Sequence, residues 1–164
     1  MPSRCFVALG ANLDDPAATV AAALDALRAL PGTEFVAASS LYRTAPVGLR
    51  HQPDFINAVA ELTATLPAPT LLEQLFAIEA RFGRRRSVRN APRTLDLDLL
   101  LYGDEARDDP HLTLPHPRLH ERAFVLAPLA EIAPGLIVPG RGTVEALLRN
   151  CAGQRIEKLV PQAA

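Results

Sequence analysis

Apolar residues occur along this chain in short bursts, and proline or glycine separates most bursts from the next. Cys5 to Gly10 is an apolar run of strand length. Asp15-Pro16 pairs a helix-capping residue with a proline at the first helical position. Val20, Ala23, Leu24, Leu27 and Leu30 then recur at helical spacing until Pro31-Gly32 stops the helix. A second strand is predicted from Phe35 to Tyr42, with Val36 and Leu41 in the core. Arg43 to Pro53 is too long for a simple hairpin turn and reads either as a binding loop or as a solvated connection.

Asp54 to Leu62 is a third strand. Ile56, Ala58, Ala60 and Leu62 share one face, and Phe55 and Asn57 share the other. Taken singly, Phe55 fits a core position and Asn57 a structural amide. Taken together they offer an aromatic plane and an amide to a flat heterocycle. Thr70-Leu71-Leu72-Glu73 reads as a capping box, opening a helix that runs through Leu75, Phe76, Glu79 and Phe82 to Gly83.

Arg93 to Tyr102 is the most informative stretch. Leu95, Leu97, Leu99 and Leu101 are predicted on one strand face, and Asp96 and Asp98 on the other. The two aspartates would stand about 7 Å apart at their Cα atoms. Two charges about 6 Å apart repel by roughly 3 kcal/mol at an effective dielectric near 20. A divalent cation removes that cost, and hard paired oxygens with room for water and phosphate suit Mg²⁺. The alternative is a strand end in solvent with each Asp paired to an arginine. Gly83 to Arg93 carries five arginines just ahead of the pair, and arginine forks match phosphate oxygens.

Downstream, Gly103-Asp104 turns the chain, and Leu112 to Pro117 is extended with His116 held between prolines. A lone histidine there is either structural or a ligand contact. Phe124 to Glu131 and Val144 to Asn150 read as short helices, and Ile156 to Val160 as an edge strand. The order β-α-β-β-α-β plus a C-terminal extension predicts an α+β, ferredoxin-like fold, an antiparallel sheet with helices packed on it.

Composition narrows the function. The 164 residues are 49% hydrophobic, enough for one domain over 1–164 with a real core. A net charge of −1 argues against general nucleic-acid or membrane coating, so the basic cluster points to a local anion. Two cysteines form neither a metal-spaced pair nor a disulfide framework, which fits a reducing cytoplasm. No apolar run approaches transmembrane length.

Five ordered stretches carry a family resemblance. They are Ala8 to Leu13 (ALGANL), Ser40 to Gly48 (SLYRTAPVG), Gln52 to Asn57 (QPDFIN), Pro92 to Asp98 (PRTLDLD), and Leu114 to Arg118 (LPHPR) with Arg122 and Phe124. In this order they resemble the 6-hydroxymethyl-7,8-dihydropterin pyrophosphokinase family over nearly the whole chain. The resemblance implies transfer of the terminal pyrophosphoryl group of ATP to the pterin hydroxymethyl oxygen, with release of AMP, in folate biosynthesis. It implies Asp96 and Asp98 as ligands of two Mg²⁺ ions, and Arg84 and Arg93 as phosphate-contacting catalytic arginines. Arg86, Thr113, His116 and Arg122 are the further ATP contacts so implied. Asn57 would hydrogen-bond the pterin, Phe55 and Phe124 would sandwich it, and Thr44, Pro46 and Val47 would line its edge. The implied partners are the two small-molecule substrates, with no nucleic acid or membrane, for a cytoplasmic monomer.

The residues support those roles physically. Phosphate charge needs cations, and no P-loop motif offers backbone amides instead. No Glu or His is placed as a general base, so positioning and electrostatics carry the chemistry. The chain departs from the family pattern in its arginine loop, about one residue short. Asn90 or its neighbour stands where an aromatic is expected, Pro117 where an aromatic often follows the histidine, and His111 where a basic residue sometimes lies. The rival classes are a ferredoxin-like RNA-binding module and a non-catalytic nucleotide-binding domain. An aromatic content of 5% argues against the first.

Overall fold

The computed structural model describes residues 2–45, 52–83 and 95–159. Pro46, Val47, Arg84, Arg86, Asn90 and Arg93 lie outside the described residues, so the roles assigned to them rest on the sequence. The elements run β1 (Ser3–Ala11), α1 (Pro16–Arg28), β2 (Thr33–Ala38), β3 (Tyr42–Thr44), β4 (Phe55–Ala64), α2 (Ala68–Arg81) and β5 (Asp96–Tyr102). A small hairpin, β6 (Arg107–Asp108) and β7 (Thr113–Leu114), follows. A 3-10 turn (Leu119–Glu121) leads into α3 (Ala123–Ile132), then β8 (Ile137–Val138), β9 (Gly142–Thr143), α4 (Val144–Arg149) and β10 (Ile156–Lys158).

The main sheet has the order β10-β3-β4-β1-β5, and β2 also pairs with β4. Every pairing in it is antiparallel, as the ferredoxin-like arrangement requires. One face is covered by α1 and α2. There Val7, Leu9, Ile56, Leu62, Leu97 and Leu99 pack against Val20, Leu27, Leu71, Leu75 and Ile78 in one buried cluster. The other face is covered in part by α3 and α4, where Phe6, Val59 and Leu100 meet Leu126, Leu129 and Val144. Among the described residues no helix is long and apolar enough to cross a membrane.

Four local expectations are corrected. Leu101 does not join Leu97 and Leu99. Phe6 pairs with Leu101 while Val7 pairs with Leu99, so the ladder gains one residue on β5, and Leu100 and Leu101 both join the second cluster. A bulge of this kind resets the side-chain alternation. Val36 is 52% exposed for the same reason, because Phe35 pairs with Leu62 and Ala37 with Glu61. The strand predicted from Phe35 to Tyr42 is broken into β2 and β3, both paired with β4. The capping box does not form. Helix α2 starts at Ala68 behind Pro67, with no side-chain cap. Prolines 67 and 69 preset the helical φ and carry no N–H for a cap to satisfy. The α1 cap is as expected, with Asp15 Oδ1 accepting from the Ala18 N–H at 3.2 Å.

Candidate active site

Pairing in the sheet decides which side chains meet. Directly paired residues of antiparallel strands face the same side. Tyr42 on β3 pairs with Asn57 on β4, Asn57 with Gly10 on β1, and Gly10 with Asp96 on β5. One row further in, Val59 pairs with Ala8 and Ala8 with Asp98. The amide and the two carboxylates therefore stand on one sheet face with only a glycine and an alanine between them. Asn57 and Asp96 are two strand spacings apart, about 10 Å. The uncovered end of this face is a cavity of about 500 Å³, lined by both aspartates, Asn57, Phe55, Thr44 and Phe124 among others. That volume suits a small-molecule substrate.

Each wall has its own support. Asn57 is buried, and its Nδ2 donates to Thr44 Oγ1 at 2.7 Å. A Cβ on Gly10 would lie 3.0 Å from Asn57 Oδ1, so the glycine leaves the amide its seat. Buried Asn12 ties the end of β1 to the approach to β4, donating to Gln52 Oε1 at 2.8 Å and to the Pro53 carbonyl at 3.1 Å. Glu79, 2% exposed on α2, accepts the Leu97 N–H at 2.7 Å. Leu97 lies between the aspartates, so this bond fixes the strand that aims them. Glu131 on α3 accepts from the Tyr42 hydroxyl at 2.7 Å and from the Ser40 N–H at 3.0 Å. Burial pushes the Glu131 carboxyl up, but the bonds from Tyr42 and Ser40 outweigh it and hold the group below its usual range.

The far wall is the start of α3. Arg122 is extended (φ −118°, ψ 109°) between the 3-10 turn and the helix, and its guanidinium lies 5.3 Å from the Phe124 ring centroid. His116 sits beside this wall. Its N–H donates to the Leu100 carbonyl at 2.9 Å, and its Nδ1 accepts from the Arg118 N–H at 3.2 Å. Burial first, then Arg122 and Arg118 against an opposing pull from Asp96, lower its pKa to about 4. At neutral pH it is a neutral imidazole whose proton sits on Nε2.

Of the residues expected at the site, Thr44, Phe55, Asn57, Asp96, Asp98, Arg122 and Phe124 line this one cavity. His116 is coupled to it through Asp96 and Arg122 without lining it. Thr113 lies on β7, paired with Asp108, and does not line it either. Arg118, Glu121, Gln154 and Arg155 line it as well; Arg118 belongs to the LPHPR stretch without a role assigned to it, and the other three carry no expectation from sequence. The local pattern offered a signal only for Gly10, a glycine inside an apolar strand.

The donor set favours a hard cation held jointly with a ligand. Two half-buried carboxylates face the cavity, yet no group of three or more His, Cys, Asp or Glu able to hold a metal occurs among the described residues. Two oxygen ligands with the remaining positions left to water and phosphate are what Mg²⁺ takes in phosphoryl-transfer sites.

Comparison with known proteins gives the family and the fold. The family model for 7,8-dihydro-6-hydroxymethylpterin-pyrophosphokinase (HPPK) matches residues 6–134. The 2-amino-4-hydroxy-6-hydroxymethyldihydropteridine pyrophosphokinase of Pseudomonas aeruginosa is 47% identical over 159 residues, 97% of this chain and 98% of that protein. Its Haemophilus influenzae counterpart is 42% identical over 156 residues, 95% and 98% of the two chains. Among solved structures, Plasmodium falciparum HPPK-DHPS, wild type with pteroate, matches with a TM-score of 0.70 at 13% identity. That match covers 92% of this chain but only 42% of the longer one, and it speaks for the fold alone.

Proposed function

The chain belongs to the 7,8-dihydro-6-hydroxymethylpterin-pyrophosphokinase family and is a pyrophosphokinase of folate biosynthesis, and from that premise we propose how its own residues divide the work. Asn57 reads the hydrogen-bonding edge of the pterin, and Phe55 and Phe124 stack on its two faces. The row Asn57–Gly10–Asp96 then directs the hydroxymethyl group toward the acidic pair. Thr44 holds the Asn57 amide in orientation and, with Pro46 and Val47, borders the ring edge.

Asp96 and Asp98 would hold two Mg²⁺ ions, which would screen the ATP phosphates and make the attacking hydroxyl more acidic. Arg84, Arg86, Arg93 and Arg122 supply the remaining positive charge along the phosphates. His116, neutral with its proton on Nε2, donates a hydrogen bond to the nucleotide rather than a charge. Thr113 is a further nucleotide contact. The pterin oxygen attacks the β-phosphorus in line with the departing AMP, and fixed charge and positioning lower the barrier. A single catalytic domain over 1–164, working as a monomer in the cytoplasm, completes the reading.

The observation that carries this is the shared row, which sets the Asn57 amide and the two aspartates on one cavity floor. The test is to mix the protein with ATP, Mg²⁺ and 6-hydroxymethyl-7,8-dihydropterin. AMP should accumulate in step with the pyrophosphorylated pterin, and only when metal is present. Release of ADP, or turnover in excess chelator, would sink it.

A further inference from the structure

The two walls of the cavity come from distant parts of the chain. Phe55, Asn57 and Thr44 stand on the sheet, and Arg122 and Phe124 stand on the start of α3. A third segment touches both. Strand β10 pairs with β3, Ile156 lying opposite Thr44. Just before it, the Gln154 side chain lines the cavity and bonds the other wall twice. Its Oε1 accepts from the Ala123 N–H at 2.9 Å, and its Nε2 donates to the Glu121 carbonyl at 2.7 Å.

Those two backbone groups flank Arg122. The residue is extended between two helical turns, and α3 has no side-chain cap from its own sequence. An uncapped helix start leaves N–H groups unmatched and its direction loosely set. One amide bonded on both sides of the hinge fixes that direction, and the β10–β3 ladder ties the amide to the opposite wall. The segment lies beyond residues 6–134, which the family model matches.

We propose that residues 151–158 brace the pterin slot, with Gln154 as a positioning residue that sets the distance of Phe124 and Arg122 from Phe55 and Asn57. The proposal rests on the pterin assignment above. Gln154 is exposed, so water can replace its bonds when it is truncated, and the fold is retained. What is lost is the fixed spacing of a stacking site.

The test uses the full chain with Gln154→Ala and Gln154→Glu. 6-Hydroxymethyl-7,8-dihydropterin is titrated calorimetrically in the presence of Mg²⁺ and a non-hydrolysable ATP analogue. Gln154→Ala should weaken pterin binding about tenfold while the melting temperature stays within a few degrees. Gln154→Glu keeps the acceptor for Ala123 and loses the donor to Glu121, so it should lose about threefold. Hydrogen exchange at the Ala123 amide should quicken in the alanine variant and stay slow in the glutamate one. Pterin affinity within twofold of the unaltered chain in both variants overturns the brace, as does a lowered melting temperature with affinity unchanged. Absence of pterin binding in the unaltered chain overturns the pterin assignment itself, and the brace with it.

Discussion

The two faces of the sheet are built from the same strands and do different things because of side-chain size along β1. Toward α1 and α2, β1 presents Cys5, Val7, Leu9 and Ala11, all 1% exposed or less. Toward α3 it presents Phe6, Ala8 and Gly10, which shrink step by step toward the cavity. Phe6 meets the covering helices in the second core cluster. At Ala8 only a methyl rises from β1 and at Gly10 no side chain at all, and Asn57, Asp96 and Asp98 on its neighbours stand over a nearly bare floor. One face is given over to burial and the other leaves a cavity, the proposed substrate site. Substitutions on the two faces should therefore fail in different ways.

The largest contrast lies within one strand. Asp96→Ala or Asp98→Ala should lower turnover about a thousandfold or more, since the proposed role of each is to hold a metal and a metal ligand supports several kcal/mol of charge stabilisation. The fold should survive, because the change also removes a source of repulsion. Leu97→Ala, on a fully buried side chain between them, should cost about 2–5 kcal/mol of stability. Activity assays beside urea denaturation check both. Stability loss in the Asp variants with turnover retained would erase the division between faces.

Acid should act through the open face. The His116 pKa of about 4 lies below the unfolded value near 6.5. Above pH 6.5 the ring is neutral in both states. Between 6.5 and 4 the unfolded chain takes a proton that the folded chain refuses, so stability falls as pH falls, by up to about 3 kcal/mol. Cys5 on the closed face, pushed up to about 12 by burial, stays silent throughout this range. Urea midpoints at pH 7 and pH 4.5 should converge less in the unaltered protein than in His116→Gln. An equal acid loss in both proteins would remove His116 as the source.

Much of this division is visible in the bare sequence. The alternation in Phe55 to Leu62 separates the two faces of β4 correctly, and the aspartate pair is set apart from Leu95, Leu97 and Leu99. Leu101 and Val36 are misread because an extra residue in a ladder depends on the partner strand, which one segment does not reveal. Gln154, Glu131 and Glu79 escape for a related reason. Each acts through a bond to residues at least 18 positions away, and nothing in its own neighbourhood marks it. The motif around Gly10 is legible, but the close approach that makes the glycine matter appears only once β1 and β4 are in register.

That close approach supplies the finest test. Gly10→Ala adds one methyl to the floor, 3.0 Å from Asn57 Oδ1, and Thr44 already pins the other end of the amide at 2.7 Å. The amide must shift by a few tenths of an ångström, which weakens its bond to Thr44 or turns it from the pterin. The pterin KM should rise about fivefold, near 1 kcal/mol, with the ATP KM unchanged. Alanine also restricts the unfolded chain more than glycine does, so stability should hardly fall. Asn57→Ala removes the amide outright and should weaken pterin binding by about ten- to a hundredfold, again sparing ATP. If the methyl acts only by displacing the amide, it has nothing left to displace in the double variant. Gly10→Ala combined with Asn57→Ala should then bind pterin no worse than Asn57→Ala alone. Additive losses would mean that the floor touches the substrate directly, and that Gly10 makes room for the pterin as well as for the residue that reads it.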